Sequence, residues 1–251
     1  MENPTLVIVP GSFAPAHLYD GFVESLNRQN VKAIVISAPS VGRKEGRPPG
    51  TMSDDAEEIT NVVSQLLDEG KRVVLMTHSY GGIPGTESLK NVSRKAREAQ
   101  NKEGGVDKIV YLTSVVVQPG TSNFDAFGGG FPDFLTVEDD YMTLDPAGNA
   151  PINFSDLPAE QGLELAKQMV DHSTPSFKEK LTYPGYNDVE VYYILCEQDK
   201  VIPAQFQTAM IEGVKASTGR DVTIHTIDSG HVPIASQPDN LAKIVEKAIK
   251  A

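Results

Sequence analysis

Ser79 stands in Thr77-His78-Ser79-Tyr80-Gly81-Gly82, directly after the apolar run Val73-Val-Leu-Met and shortly before Pro84. A serine among small residues at a strand-to-helix turn can take the strained elbow that pushes its hydroxyl out at the carboxyl end of a sheet. Pro84 suits the start of a helix, whose first turn has free N–H groups. The spacing departs from Gly-x-Ser-x-Gly at the first position, which is Thr77, and Ser-x-Gly alone also makes an ordinary tight turn. Chemistry therefore needs partners: a serine hydroxyl is a weak nucleophile unless a base within hydrogen-bond reach, itself oriented by an acid, takes its proton. Asp199 lies 120 residues beyond Ser79, just after the apolar run Val189 to Cys196. His231 follows 32 residues later in Ser229-Gly230-His231-Val232-Pro233, after a further strand-like run. Serine, acid, histidine in this order, each after a strand, would gather at one edge of an open sheet.

Each residue also has a plainer reading. Asp199 could be an acid at the start of the helix opened by Pro203, and His231 a loop histidine beside a glycine. Glu197 and Asp228 are rival acids, the first nearer its strand end and the second close to His231 in sequence. His78 reads as a packed or hydrogen-bonded neighbour of the nucleophile, His17 as a pocket residue, His172 as a cap-surface residue and His225 as a strand residue. An acyl-transfer reaction also needs N–H donors for the tetrahedral oxyanion. The elbow supplies the Tyr80 N–H. Pro10-Gly11-Ser12-Phe13, after the first strand, supplies the second, for which Ser12 is preferred to Phe13. No His-Glu-x-x-His, Cys-x-x-Cys or paired-carboxylate pattern calls for a metal, and no Gly-x-Gly-x-x-Gly opens a helix for a dinucleotide, so no cofactor is expected.

The elements that must hold these residues are short β-branched runs alternating with segments of helical period. Thr5 to Val9, Ala33 to Ser37, Arg72 to Thr77, Lys108 to Thr113, Val189 to Cys196 and Asp221 to Ile227 read as strands, mostly apolar throughout. Ala56, Ile59, Val63 and Leu67 make one helical stripe, with Ser53 as its expected N-cap. Leu18, Phe22 and Leu26, then Leu89, Val92 and Ala96, then Leu241, Val245 and Ala248 make three more. This is an α/β pattern: a mostly parallel sheet with helices on both faces. Residues 115–184 break it with Gly128-Gly-Gly130, several prolines and many aromatics, and are expected to form an inserted cap of short helices on a core of 1–114 and 185–251. Lys90 to Lys102 reads as a solvated helix face.

The 34 Asp and Glu against 22 Lys and Arg give a formal charge of -12, which excludes nucleic acid and anionic membrane as partners and favours neutral small-molecule substrates. No apolar run approaches the roughly 20 residues that span a bilayer. One cysteine and an N-terminus without a basic or apolar leader lead to the expectation of a cytoplasmic protein, with a homodimer allowed.

The blocks VIVPGSF, MTHSYGG, IVYLTS, YILCEQDKVIP and SGHVPIASQP resemble the α/β-hydrolase group of plant methyl-ester esterases and hydroxynitrile lyases. The likeness is closer still to that group's fungal relatives, where DLPAEQGLELAKQMVDHS also has counterparts. The resemblance implies the α/β-hydrolase fold, Ser79 as nucleophile, Asp199 as acid, His231 as base, and the N–H groups of Ser12 and Tyr80 as oxyanion donors. Three departures stand out. Pro10 replaces a histidine and Thr77 a glycine, and Val232 stands where hydroxynitrile lyases carry a lysine, which argues against cyanohydrin cleavage. A serine nucleophile also argues against the dehalogenases and epoxide hydrolases of the fold, which use aspartate. The expected function is hydrolysis of a carboxylic ester or lactone of a small, mainly apolar molecule. Phe13, His17, Phe124, Phe127 and Val232 are expected to touch the substrate, and Phe131, Phe134 and Tyr141 to help wall it. A lyase, cyclase or acyl-transfer step on the same triad and a ligand receptor are the alternatives.

Overall fold

A computed structural model of the chain describes residues 3–250. Nine strands are present among them: β1 (Thr5–Val9), β2 (Ala33–Val35), β3 (Val73–His78), β4 (Lys108–Leu112), β5 (Leu135–Glu138), β6 (Tyr141–Leu144), β7 (His172–Ser173), β8 (Glu190–Cys196) and β9 (Thr223–Ile227). Six form one sheet in the order β2-β1-β3-β4-β8-β9, with every neighbouring pair parallel. β1, β3 and β4 are buried along their whole length, which is why they read as continuous apolar runs rather than alternating ones.

The helices are α1 (Asp20–Arg28), α2 (Met52–Asp68), α3 (Gly82–Val92), α4 (Arg94–Glu98), α5 (Asn123–Ala126), α6 (Pro146–Asn153), α7 (Ala159–Ala166), α8 (Thr174–Lys178), α9 (Ala204–Thr218), α10 (Pro233–Ser236) and α11 (Pro238–Lys250). Alternate strand residues point to opposite faces. On one face Val7, Leu75 and Ile109 pack with Ile59 and Val63 of α2 and Leu89 of α3. On the other, Leu6, Met76 and Val110 pack with Phe22 of α1 and Leu241 and Val245 of α11.

Local details depart from the sequence reading. α2 begins earlier than expected because Thr51, not Ser53, caps it: the Thr51 hydroxyl accepts the Asp54 N–H (3.1 Å) and the Asp54 carboxylate accepts the Thr51 N–H (2.7 Å). Ser53 instead donates its N–H to Glu179 at 2.9 Å. The stripe of Leu89, Val92 and Ala96 is split by Ser93, which caps α4. Lys90 to Lys102 is not a uniformly solvated face, since Arg97 is buried and donates to Asp68 (2.7 Å) and to the Glu103 carbonyl (2.8 Å).

Between β4 and β8 the chain forms α5 to α8 and a second, antiparallel sheet in the order β5-β6-β7. The sequence pattern leads to helices alone here. The β5–β6 hairpin turns at Asp139 and Asp140, both with positive φ, where an Asn-Gly or Asp-Gly turn would have been conspicuous. β7 has only two residues, wedged between β6 and the core loop 40–42: Ser173 N–H donates to Ser40 O (2.9 Å) and Gly42 N–H to Asp171 O (2.7 Å). That wedge buries His172, which the sequence pattern places on the cap surface. Tyr141 is buried under the Arg43 guanidinium, 4.6 Å from its ring centre, and does not face the cavity described below. Among the described residues no helix is long and apolar enough to cross a membrane.

Candidate active site

β3 ends at His78, and Ser79 follows with φ +53°, a left-handed conformation that a serine adopts only when the surroundings impose it. The turn is tight enough to require glycine beyond it. A Cβ on Gly81 would lie 2.6 Å from the Pro10 carbonyl oxygen, and one on Gly82 would lie 2.3 Å from that of Val115. Thr77 fits because the facing helix is bare opposite it: a Cβ on Gly85 of α3 would meet the Thr77 methyl at 2.5 Å. Its hydroxyl lies 2.8 Å from the Ser114 hydroxyl, so the polar end is paired as well.

The His231 ring joins the two other loops. Its Nδ1 is 2.7 Å from Asp199 Oδ2 and its Nε2 is 2.9 Å from Ser79 Oγ. An ionised carboxylate only accepts, so Nδ1 carries the proton and Nε2 is left to accept from the serine. Asp199 Oδ1 accepts the N–H groups of Val201 (2.7 Å) and Ile202 (2.9 Å), and Oδ2 also accepts the Thr113 hydroxyl. Burial pushes the Asp199 pKa up, but the facing His231 and these hydrogen bonds outweigh it and hold the group below the usual carboxylate range. Glu197 and Asp228, the rival acids, are exposed. Thr113 carries no sequence signal of this role, because the end of β4 suggests a site for an acid rather than for a hydroxyl that supports one in the loop after β8.

His78, the residue before Ser79, is buried. Its Nε2 is 2.9 Å from the His231 carbonyl oxygen, which can only accept, so Nε2 carries the proton and Nδ1 accepts the Tyr19 hydroxyl at 2.8 Å. Burial and the adjacent His231 lower its pKa to about 3, so the ring is neutral. Tyr19 O in turn accepts the Gly11 N–H (2.8 Å), which ties the loop after β1 to the loop bearing His231.

In Pro10-Gly11-Ser12-Phe13 every N–H but one is accounted for. Proline has none, Gly11 donates to Tyr19, and Phe13 donates to His172 Nδ1 at 3.3 Å. Among the described residues the Ser12 N–H has no partner in the protein. Phe13 has φ +61° and is held at both backbone groups by residues beyond β6, since its carbonyl accepts the Val170 N–H (3.0 Å). Asp156 does the same for the loop before His231, its Oδ2 accepting the Ser229 hydroxyl (2.7 Å) and the Gly230 N–H (2.8 Å).

Ser79 and His231 open into a cavity of about 610 Å³. Phe13, Phe124, Phe127 and Val232 border it, as do Phe131 and Phe134. His17 does not: it is exposed on the turn Ala16–Tyr19, because Leu18 and Tyr19 take the inward positions and Tyr19 must reach Gly11 and His78. Among the described residues no group of three His, Cys, Asp or Glu could hold a metal ion.

The model of the "Alpha/beta hydrolase family" matches residues 6–244, a span holding all three polar residues of the site. The chain belongs to that family. It is 34% identical over 246 residues to "Probable hydrolase R7" of a Phoma species, covering 98% of each chain. It is 23% identical over 233 residues to polyneuridine aldehyde esterase of Rauvolfia serpentina, covering 85% of this chain and 82% of that one. Among solved structures, a pyrethroid hydrolase from Sphingobium faniae superposes with a TM-score of 0.73 at 17% identity, covering 99% of this chain and 98% of that one, which bears on the fold alone.

Proposed function

We propose that the chain is a serine hydrolase that cleaves a carboxylic ester or lactone of a small, mainly apolar molecule. The observation that carries this reading is the continuous relay Asp199, His231, Ser79, at 2.7 and 2.9 Å, ending on a left-handed serine at the floor of an apolar cavity. Ser79 Oγ attacks the ester carbonyl carbon while His231 Nε2 takes the hydroxyl proton, and Asp199 holds the imidazole and stabilises its cation. The carbonyl oxygen becomes an oxyanion held by the N–H groups of Tyr80 and Ser12. The C–O bond to the alcohol breaks as His231 protonates the leaving oxygen. Water, activated by the same imidazole, then attacks the acyl-serine, releasing the acid and restoring Ser79.

Residues 115–184 act as the cap over a core of 1–114 and 185–251, and the substrate is a free small molecule rather than nucleic acid or a membrane surface. One chain supplies every group of the site, so a homodimer is not needed to complete it. A cytoplasmic setting is supported by Cys196, a free and buried thiol. The naming of relatives as hydrolase and esterase supports the same chemistry.

Labelling with a fluorophosphonate, read by intact and peptide mass, tests the reading. The expected result is one adduct, on Ser79, with hydrolysis of methyl esters, aryl acetates or lactones lost in Ser79→Ala. A folded protein that takes no label at Ser79, or ester turnover undiminished in that variant, overturns it.

A further inference from the structure

Most polar groups bordering the cavity are paired within the protein. Ser79 and His231 bond each other, Tyr19 and His78 bond each other, and the Asn153 amide donates to Asn149 Oδ1. Lys200 also borders the cavity, but it is exposed to water. Asn123 differs from all of these. It borders the same cavity, is only 2% exposed, and its Oδ1 is buried with no hydrogen-bond partner. Among the described residues its side-chain nitrogen makes no hydrogen bond either and, unlike Oδ1, is not sealed from contact with a water-sized group.

This amide is not adrift on a loose loop. Asn123 opens α5, and Ser122 and Asp125 cap that turn reciprocally: the Ser122 hydroxyl accepts the Asp125 N–H and the Asp125 carboxylate accepts the Ser122 N–H, both at 3.0 Å. The Asn123 carbonyl accepts the Phe127 N–H, and Phe124 packs on Phe131 with ring centres 5.0 Å apart. A rigid turn thus holds an unpaired amide among aromatic side chains. Buried polar groups are almost always hydrogen-bonded, and one left bare beside a reaction cavity calls for a partner from outside the protein.

We propose that Asn123 selects the substrate, which is an ester or lactone bearing a hydroxyl group remote from the reacting carbonyl. The proposal rests on the hydrolase reading and narrows it. The amide nitrogen, the end that a water-sized group can touch, donates to the hydroxyl oxygen, and the orphaned Oδ1 accepts the hydroxyl proton once the group turns about its last bond. The rest of the ligand is apolar and aromatic-compatible, matching Phe124, Phe127, Phe131 and Phe134. A site with a bare polar group discriminates strongly against the analogue that lacks the matching group, because the protein's own group then stays unpaired.

The test compares methyl 3-phenylpropanoate with its three ring-hydroxylated isomers, on the wild type and on Asn123→Leu, which is close in volume and apolar. In the wild type at least one hydroxy isomer should exceed the parent ester in kcat/KM by about tenfold or more. In Asn123→Leu that isomer should lose about tenfold or more, while the parent stays within about threefold. The variant should also melt no lower than the wild type, because the substitution removes an unpaired buried polar group. The proposal is overturned if no hydroxy isomer outruns the parent, if parent and hydroxy esters fall together in the variant, or if the variant melts distinctly lower, which would mean the amide serves the fold. Fluorophosphonate labelling of Ser79 in both proteins separates the two levels: labelling without hydroxyl selectivity sinks only this inference, and no labelling sinks the hydrolase reading beneath it.

Discussion

Replacing Asp55 by asparagine probes the buried network beneath the elbow. Asp55 lies on α2, is fully buried, and accepts the Ser40 N–H (2.9 Å), the Ser40 hydroxyl (2.6 Å) and the Tyr80 hydroxyl (2.7 Å). Desolvation outweighs these three bonds and raises its pKa from 3.8 to about 6. A carboxyl whose pKa is higher in the folded than in the unfolded chain contributes its stabilisation in full below 3.8 and loses it as pH rises through about 6. At about 1.4 kcal/mol per pH unit, the gap between those values amounts to about 3 kcal/mol lost across that window. Asparagine has nearly the same shape and does not titrate, and the Ser40 and Tyr80 hydroxyls can turn to accept from its amide. Urea unfolding of both proteins from about pH 4 to about pH 7.5 should therefore show Asp55→Asn gaining on the wild type by up to about 3 kcal/mol as pH rises. Taking the difference between the two proteins cancels the other titrating groups. A difference that is flat, or that falls with rising pH, refutes the assignment of a strained buried carboxylate to Asp55.

Two further substitutions test other contacts. Gly85→Ala should cost about 1–3 kcal/mol by urea unfolding, since the new methyl meets Thr77 Cγ2 at 2.5 Å, and adding Thr77→Ser should restore most of it while keeping the bond to Ser114; a double variant no better than the single one contradicts this packing. His172→Ala leaves the Phe13 N–H without its acceptor and should lower kcat about tenfold, with fluorophosphonate labelling slowed in step and KM for a small aryl acetate changed less, because the damage falls on the oxyanion loop rather than on the cavity wall. An effect confined to KM would show that His172 acts on substrate binding instead.

The parallel sheet, the strand-end positions of Ser79, Asp199 and His231, and the stripes of α1, α2 and α11 were legible from the chain alone. Each depends on short-range regularities: continuous apolar runs in strands covered on both faces, a 3.6-residue period, small residues around a sharp turn. In the loop after β1, His172 occupies the Phe13 N–H, and among the described residues the Ser12 N–H has no partner, a difference between two adjacent donors that the chain alone does not display. His172 itself, which reads as a surface residue, shows where such reasoning stops. Its strand is two residues long and exists only because β6 and the loop 40–42 flank it. Thr113 meets Asp199 across neighbouring strands that are far apart in sequence, and Gly85 makes room for Thr77 from the facing helix. The chain by itself determined which elements form and which loops carry reactive side chains, because those depend on neighbours a few residues away. Only the tertiary structure decided which buried donors and acceptors find partners, which is why Asn123 stands out as unpaired and His17 falls outside the cavity. Pairing of buried polar groups is a property of the packed interior, where each group's partner comes from whichever distant segment lies against it.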